Sequence, residues 1–135
     1  MNPKALELQE RTRAFATAVI KFCDGLPRHA AVESITDQLL DSAGSTDSNY
    51  RATCRARSPN EFIAKIGIAA EEADESKGWL QLLVSSNLAT ADQAAALIQE
   101  ADELIAIFVA SRKTAERNRA RRKQLEQQMK ARKRL

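Results

Sequence analysis

SPNEFIAKIGIAAEEADESKGWLQLL (58–83) carries the reading on which the fold turns. Ser58, Pro59 and Glu61 make a helix start: a serine cap, a proline at the first helical position and a glutamate at the third. In such a capping box Ser58 and Glu61 satisfy each other's free backbone N–H groups. Behind it Phe62, Ile66, Ala69, Ala73, Ser76, Leu80 and Leu83 follow at steps of four and three. That alternation draws one apolar stripe along a helix and suits packing against neighbours in a bundle.

The same pattern recurs on both sides. A first helix is expected from Pro3 to Asp24, with Phe15, Ala18, Phe22 and Leu26 on its core side and Gly25 and Pro27 ending it. A second begins near Ala30 with Val32, Ile35 and Leu39, after which its face turns small and polar at Ser42, Thr46, Asn49 and Thr53. By propensity alone AGSTDSN (43–49) reads as a loop. Asn87 and Leu88 make a short connection, and Thr90 with Gln93 forms a second capping box. It opens a fourth helix with Leu97, Ala101, Leu104 and Phe108 inward. Short loops make consecutive helices antiparallel neighbours, so the expected fold is an all-α, up-down-up-down four-helix bundle. Past Ser111 the stripe thins to Ala115, Leu125 and Met129, yet nothing breaks the helix. The expected organisation is a bundle over 1–111 and a basic helical extension over 112–135.

Composition sets the class. The chain is 44% hydrophobic with only 4 Gly and 3 Pro, which argues against disorder, and 135 residues suit one domain. No apolar run reaches the roughly 20 residues of a membrane span. MNPKALELQERTR (1–13) lacks the apolar core of a signal peptide. A cytoplasmic protein is expected, with Cys23 and Cys54 as reduced, partly buried thiols. The net charge of +3 conceals a division. Residues 112–135 hold 11 Lys and Arg against Glu116 and Glu126, a net of +9, whereas residues 1–111 carry 10 basic and 16 acidic residues, a net of −6. An acidic body with a basic tail is a pattern of nucleic-acid or acidic-surface partners.

QLLDSAGSTDSNYRATCRARSPNEFIAKIGIAAEEADESKGWLQLL (38–83) resembles the bacterial four-helix-bundle family encoded by intervening sequences in large-subunit ribosomal RNA genes. The residues that carry the likeness are Gln38-Leu39-Leu40 with Ser42, Ser45 and Asn49, then Arg55-Ala56-Arg57-Ser58 and Phe62. They continue with Glu71-Glu72-Ala73-Asp74-Glu75-Ser76 before Trp79-Leu80, and with Gln99-Glu100-Ala101-Asp102-Glu103-Leu104. The likeness covers about residues 6–118. It implies an up-down-up-down bundle with AGSTDSN inside a helix, and a ring-shaped homo-oligomer, a pentamer. Relatives of the family, the accessory variability proteins of diversity-generating retroelements, bind nucleic acid. Asp41, Thr46 and Asp47 depart from the family's usual basic, aliphatic and Gly or Pro residues. They make the second helix more acidic and weaken any phosphate-binding role for that face.

The leading candidate site is the tail: Arg112, Lys113, Arg117, Arg119, Arg121, Arg122, Lys123, Lys130, Arg132, Lys133 and Arg134. Arginine offers bidentate contacts to phosphate and lysine point charges. A solvated extension, or one that meets the acidic body of a neighbouring subunit, is the plain alternative. Arg51, Arg55 and Arg57, with Lys65, extend that surface or pair with Glu71, Glu72 or Glu75. Ser42, Ser45 and Asn49 line a polar pocket or, as the stronger reading, hydrogen-bond between helices. Tyr50 and Trp79 are core or interface residues before they are stacking platforms for bases.

No catalytic, metal or cofactor set is expected. His29 is the sole histidine, Glu-x-x-His motifs of di-metal bundles are missing, the two cysteines lack zinc spacing and no glycine-rich phosphate loop occurs. Glu71, Glu72, Asp74 and Glu75 form a run of solvated or ion-paired charge. Two functions compete: a non-enzymatic accessory factor that binds RNA or DNA through its tail, and an oligomeric scaffold for a protein partner.

Overall fold

The computed structural model describes residues 2–134 and contains four α-helices: α1 (Pro3–Asp24), α2 (Ala30–Cys54), α3 (Pro59–Ser85) and α4 (Ala91–Lys133). Among the described residues there is no strand. Each helix packs on the next and α4 closes on α1, as an antiparallel up-down-up-down bundle requires. The α2–α3 and α3–α4 faces are the most extensive and the α1–α4 face the narrowest.

The helix ends follow local chemistry. Asn2 caps α1 by accepting the Lys4 N–H at 2.8 Å, with Pro3 at the first position. Gly25 closes it, donating its N–H to the carbonyls of Lys21 and Phe22. The Thr90–Gln93 box is complete, with Thr90 Oγ1 accepting at 3.1 Å and Gln93 Oε1 at 2.8 Å. The box at Ser58 is half formed. Glu61 N–H donates to Ser58 Oγ at 3.1 Å, but the Glu61 carboxylate turns to Arg57 Nε, 3.8 Å away, instead of returning to the cap. Asn87, with φ of 58°, supplies the left-handed turn before α4, a conformation that asparagine tolerates better than most residues.

The core is built from the expected stripes with one shift. In α1 the buried positions are Leu8, Thr12, Phe15 and Val19; of the four expected inward residues Phe15 and, just past the helix, Leu26 are buried, and the face extends further toward the N-terminus than they place it. Ala18 and Phe22 are half-buried. In α3, Ile66, Ala69, Ala73, Ser76, Leu80 and Leu83 are buried as spaced, with Phe62 half-buried, and in α4 Ala101, Leu104 and Phe108 are fully so. Small residues at the α2–α3 and α3–α4 faces (Ser42, Ala43, Ala69, Ala70, Ala73, Ser76, Ala101) let those backbones approach closely.

AGSTDSN lies inside α2. Its helix-averse side chains are satisfied locally: Thr46 Oγ1 donates to the Ser42 carbonyl at 2.8 Å, Asn49 Nδ2 to Ser45 at 2.9 Å and Thr53 Oγ1 to Asn49 at 2.8 Å. Hydroxyls that bond back to the preceding turn remove the competition that otherwise favours a loop.

Polar ties cross all four helix interfaces. Ser42 and Ser76 hydroxyls meet at 2.8 Å between α2 and α3. Buried Asp47 accepts from Thr12 Oγ1 at 3.0 Å and from Arg13 Nε at 2.9 Å between α2 and α1. Lys77 reaches Asp102 at 2.6 Å between α3 and α4, and Arg11 holds Glu100 through Nε and Nη2 between α1 and α4.

Candidate nucleic-acid interface

α4 is 43 residues long, about 65 Å at the usual rise, against about 33 Å for the 22 residues of α1. It passes residue 111 without a break. Arg112 lies half-buried across Gly67 of α3, its Nη1 3.7 Å from where a Cβ would stand, with Glu116 at 3.5 Å from its Nε. Ala115 is half-buried, and Arg119 Nη1 donates to Asn60 Oδ1 at 2.9 Å. That is the last recorded bond to the body among the described residues. Beyond it every residue from Ala120 to Arg134 is exposed, a helical rod of about 20 Å standing clear of the bundle.

The tail residues therefore fall into two groups. Arg112 and Arg119 brace α4 against α3. Lys113, Arg117, Arg121, Arg122, Lys123, Lys130, Arg132, Lys133 and Arg134 are exposed and form no salt bridge among the described residues; Arg117 Nη2 donates to Thr114 Oγ1 at 3.4 Å. Arg51, Arg55 and Arg57 lie at the same end of the bundle, at the α2–α3 connection from which α4 emerges. Arg55 terminates α2, and all three are exposed. Pairing with Glu71, Glu72 or Glu75 is absent among the described residues; Arg57 meets Glu61 instead.

The acidic run points elsewhere. Glu72 is half-buried, and desolvation, then the charges of Glu75, Glu71 and Asp41, raise its pKa. Of the polar residues in α2, Ser42 bonds across the interface to Ser76, while Asn49 donates within the helix to the Ser45 carbonyl. Tyr50 is buried and stacks on Phe108 with centroids 5.5 Å apart and planes 21° from parallel, which removes it as a platform for bases. Trp79 is half-buried against the core.

A cleft of about 660 Å³ opens at the end from which α4 emerges, lined by Leu8, Arg11, Tyr50, Cys54, Phe62 and Ile107 among others. It is largely apolar; of the two cations in its lining, Arg11 is already committed to Glu100 and Lys4 is exposed. Cys23 and Cys54 are free thiols, and burial lifts Cys23 to about 11, leaving it protonated at neutral pH. Among the described residues no three His, Cys, Asp or Glu side chains gather as metal ligands, and no helix is long and apolar enough to cross a membrane. His29 is exposed at the start of α2 and makes no capping bond.

The family model of the 23S rRNA-intervening sequence protein matches residues 4–110. The chain belongs to that family. It is also similar to a crystal structure of a protein of unknown function from the S23 ribosomal protein family of Bacteroides thetaiotaomicron, at TM-score 0.73 and 25% identity, over 82% of this chain and 98% of that one. No curated protein matches it. The 23S rRNA-intervening sequence family thus accounts for the bundle, while the exposed part of α4 lies outside the matched residues.

Sequence reasoning missed the anchors of this interface. Asn60, Gly67 and Glu116 position the root of the tail, and none stands in a motif. Only the i,i+4 spacing of Arg112 and Glu116 was legible.

Proposed function

We propose that this protein is a non-enzymatic, homo-oligomeric accessory factor that binds RNA or DNA through the C-terminal part of α4. The observation that carries the reading is the exposed cationic stretch of α4: nine Lys and Arg side chains without a carboxylate partner among the described residues, seven of them on the rod that projects past the acidic body. Arg51, Arg55 and Arg57 at its base widen the surface. The resemblance to retroelement accessory proteins supports the nucleic-acid reading, and the family resemblance supports a pentameric ring. A ring would present several rods together, and linked weak sites gain avidity steeply. If about six phosphates are neutralised per bound unit, log affinity falls with log salt at a slope near −4 to −5.

The test replaces Arg121, Arg122 and Lys123 with Gln in the full chain and compares gel shifts on generic RNA and DNA. The reading expects at least a tenfold loss and a shallower salt dependence. Unchanged shifts would refute it. One observation favours the alternative of a protein-binding scaffold: Ile68 and Leu82 are exposed on the outer side of α3, beside Glu75. Capture of a defined protein partner by a chain lacking the rod, lost on Ile68→Ser and Leu82→Ser, would support it.

A further inference from the structure

The charges on the rod are not scattered. At about 100° per residue, Arg122, Lys123, Lys130, Lys133 and Arg134 fall along one edge of α4, in line with Arg119 at its root, which is bonded to Asn60. Arg117, Arg121 and Arg132 fall along another, roughly half a turn away. Glu126 lies within the first edge, four residues from both Arg122 and Lys130, and reduces its charge without reversing it. The two strips between these edges carry no charge. One holds Ala120, Gln124, Gln127 and Ala131; the other holds Asn118, Leu125 and Met129.

A helix that lies on a flat anionic surface needs one basic face. A helix with two basic edges opposed across a neutral strip fits between two rows of phosphate. Resting on the nucleic-acid reading above, we propose that the rod of α4 inserts into the major groove of duplex DNA. Its two basic edges grip the opposing backbones, and Gln124 and Gln127 face the base edges. A helix with its side chains is about 10–12 Å across, and the B-form major groove is about 12 Å wide. The A-form groove of duplex RNA is too narrow and deep to admit it in this way.

Chemistry chooses between the neutral strips. The side of α4 on which the bundle is built, marked by Ala101, Phe108, Arg112 and Arg119, runs on into the first basic edge, so both strips stand roughly a quarter turn from it and both are open to a duplex. The duplex meets the strip whose glutamine amides can bond base edges and whose alanines permit close approach. Leu125 and Met129, both more than half exposed, then face away from the DNA.

The test uses the full chain and two double variants of equal charge, Gln124→Glu with Gln127→Glu and Leu125→Glu with Met129→Glu. Glutamate is a good helix former, and all four positions are exposed. The probes are a DNA duplex of about two helical turns, its separated strand and an RNA duplex of the same sequence. The expected result is binding of duplex DNA at least tenfold tighter than of either other probe. Protection of guanine N7, a major-groove atom, should accompany it. The glutamine-edge variant should lose at least tenfold more duplex affinity than the Leu-Met variant. Equal losses in the two variants, reactive guanine N7 in the complex, or equal or tighter binding of duplex RNA would each overturn the groove assignment while leaving nucleic-acid binding in place. Failure of the unaltered chain to bind any probe would overturn the nucleic-acid reading itself, and the groove assignment with it.

Discussion

Asp47 sits in the α1–α2 interface with both carboxylate oxygens engaged, one by Thr12 and one by Arg13. In the sequence it looked like a departure that made α2 more acidic; in the fold it is a buried tie. Asp47→Ala leaves the Thr12 hydroxyl only the Gln9 carbonyl and removes the Arg13 partner, so a loss of about 1–3 kcal/mol is expected in chemical unfolding. Asp47→Asn, which can still accept from Thr12, should lose less. Glu72 runs the other way. Burial and like charges raise its pKa in the folded chain, so the folded state holds this proton more tightly than the unfolded state does. Stability from this group therefore falls as pH rises through its folded pKa and recovers on acidification. Glu72→Gln should raise the melting temperature at pH 7, by an amount equivalent to roughly 0.5 kcal/mol. The gain should vanish below about pH 4, where the wild-type carboxyl is protonated as well; a gain that persists there would contradict the account.

The helices separate what the sequence reveals from what it hides. Stripes at steps of three and four, together with the Thr90 box, are local signals, and α3 and α4 begin where those signals place them. The middle of α2 was not legible from propensity, because what holds AGSTDSN in a helix is the back-bonding of Thr46, Asn49 and Thr53 and the burial of that face against α3. The cross-helix partners Thr12–Asp47, Ser42–Ser76 and Arg11–Glu100 stand 34 to 89 residues apart, and no spacing rule pairs them. The tail residues were legible as a charge run, but the division between Arg112 and Arg119 as braces and the rest as free cations needed the helix-to-helix geometry. The two caps give a direct check. Thr90→Ala removes a reciprocal pair and should cost about 1 kcal/mol or more, whereas Ser58→Ala removes a single bond and should cost less, as read by thermal unfolding. Equal costs would mean that the Ser58 box closes in solution.

The molecule as a whole is a bundle that satisfies its own polar groups and a rod that does not. Side chains of the body pair with one another across all four interfaces, while residues 112–135, at a net of +9 against −6 for the rest, carry their charge on a segment that is mostly exposed. Fold and binding should therefore be separable. The decisive measurement is a comparison of the full chain with one ending at Arg119, following both the melting transition and affinity for nucleic acid across a salt series. The account predicts an unchanged melting temperature and the loss of salt-dependent binding in the shortened chain. A shortened chain that binds as tightly as the full one, with the same salt slope, would contradict it.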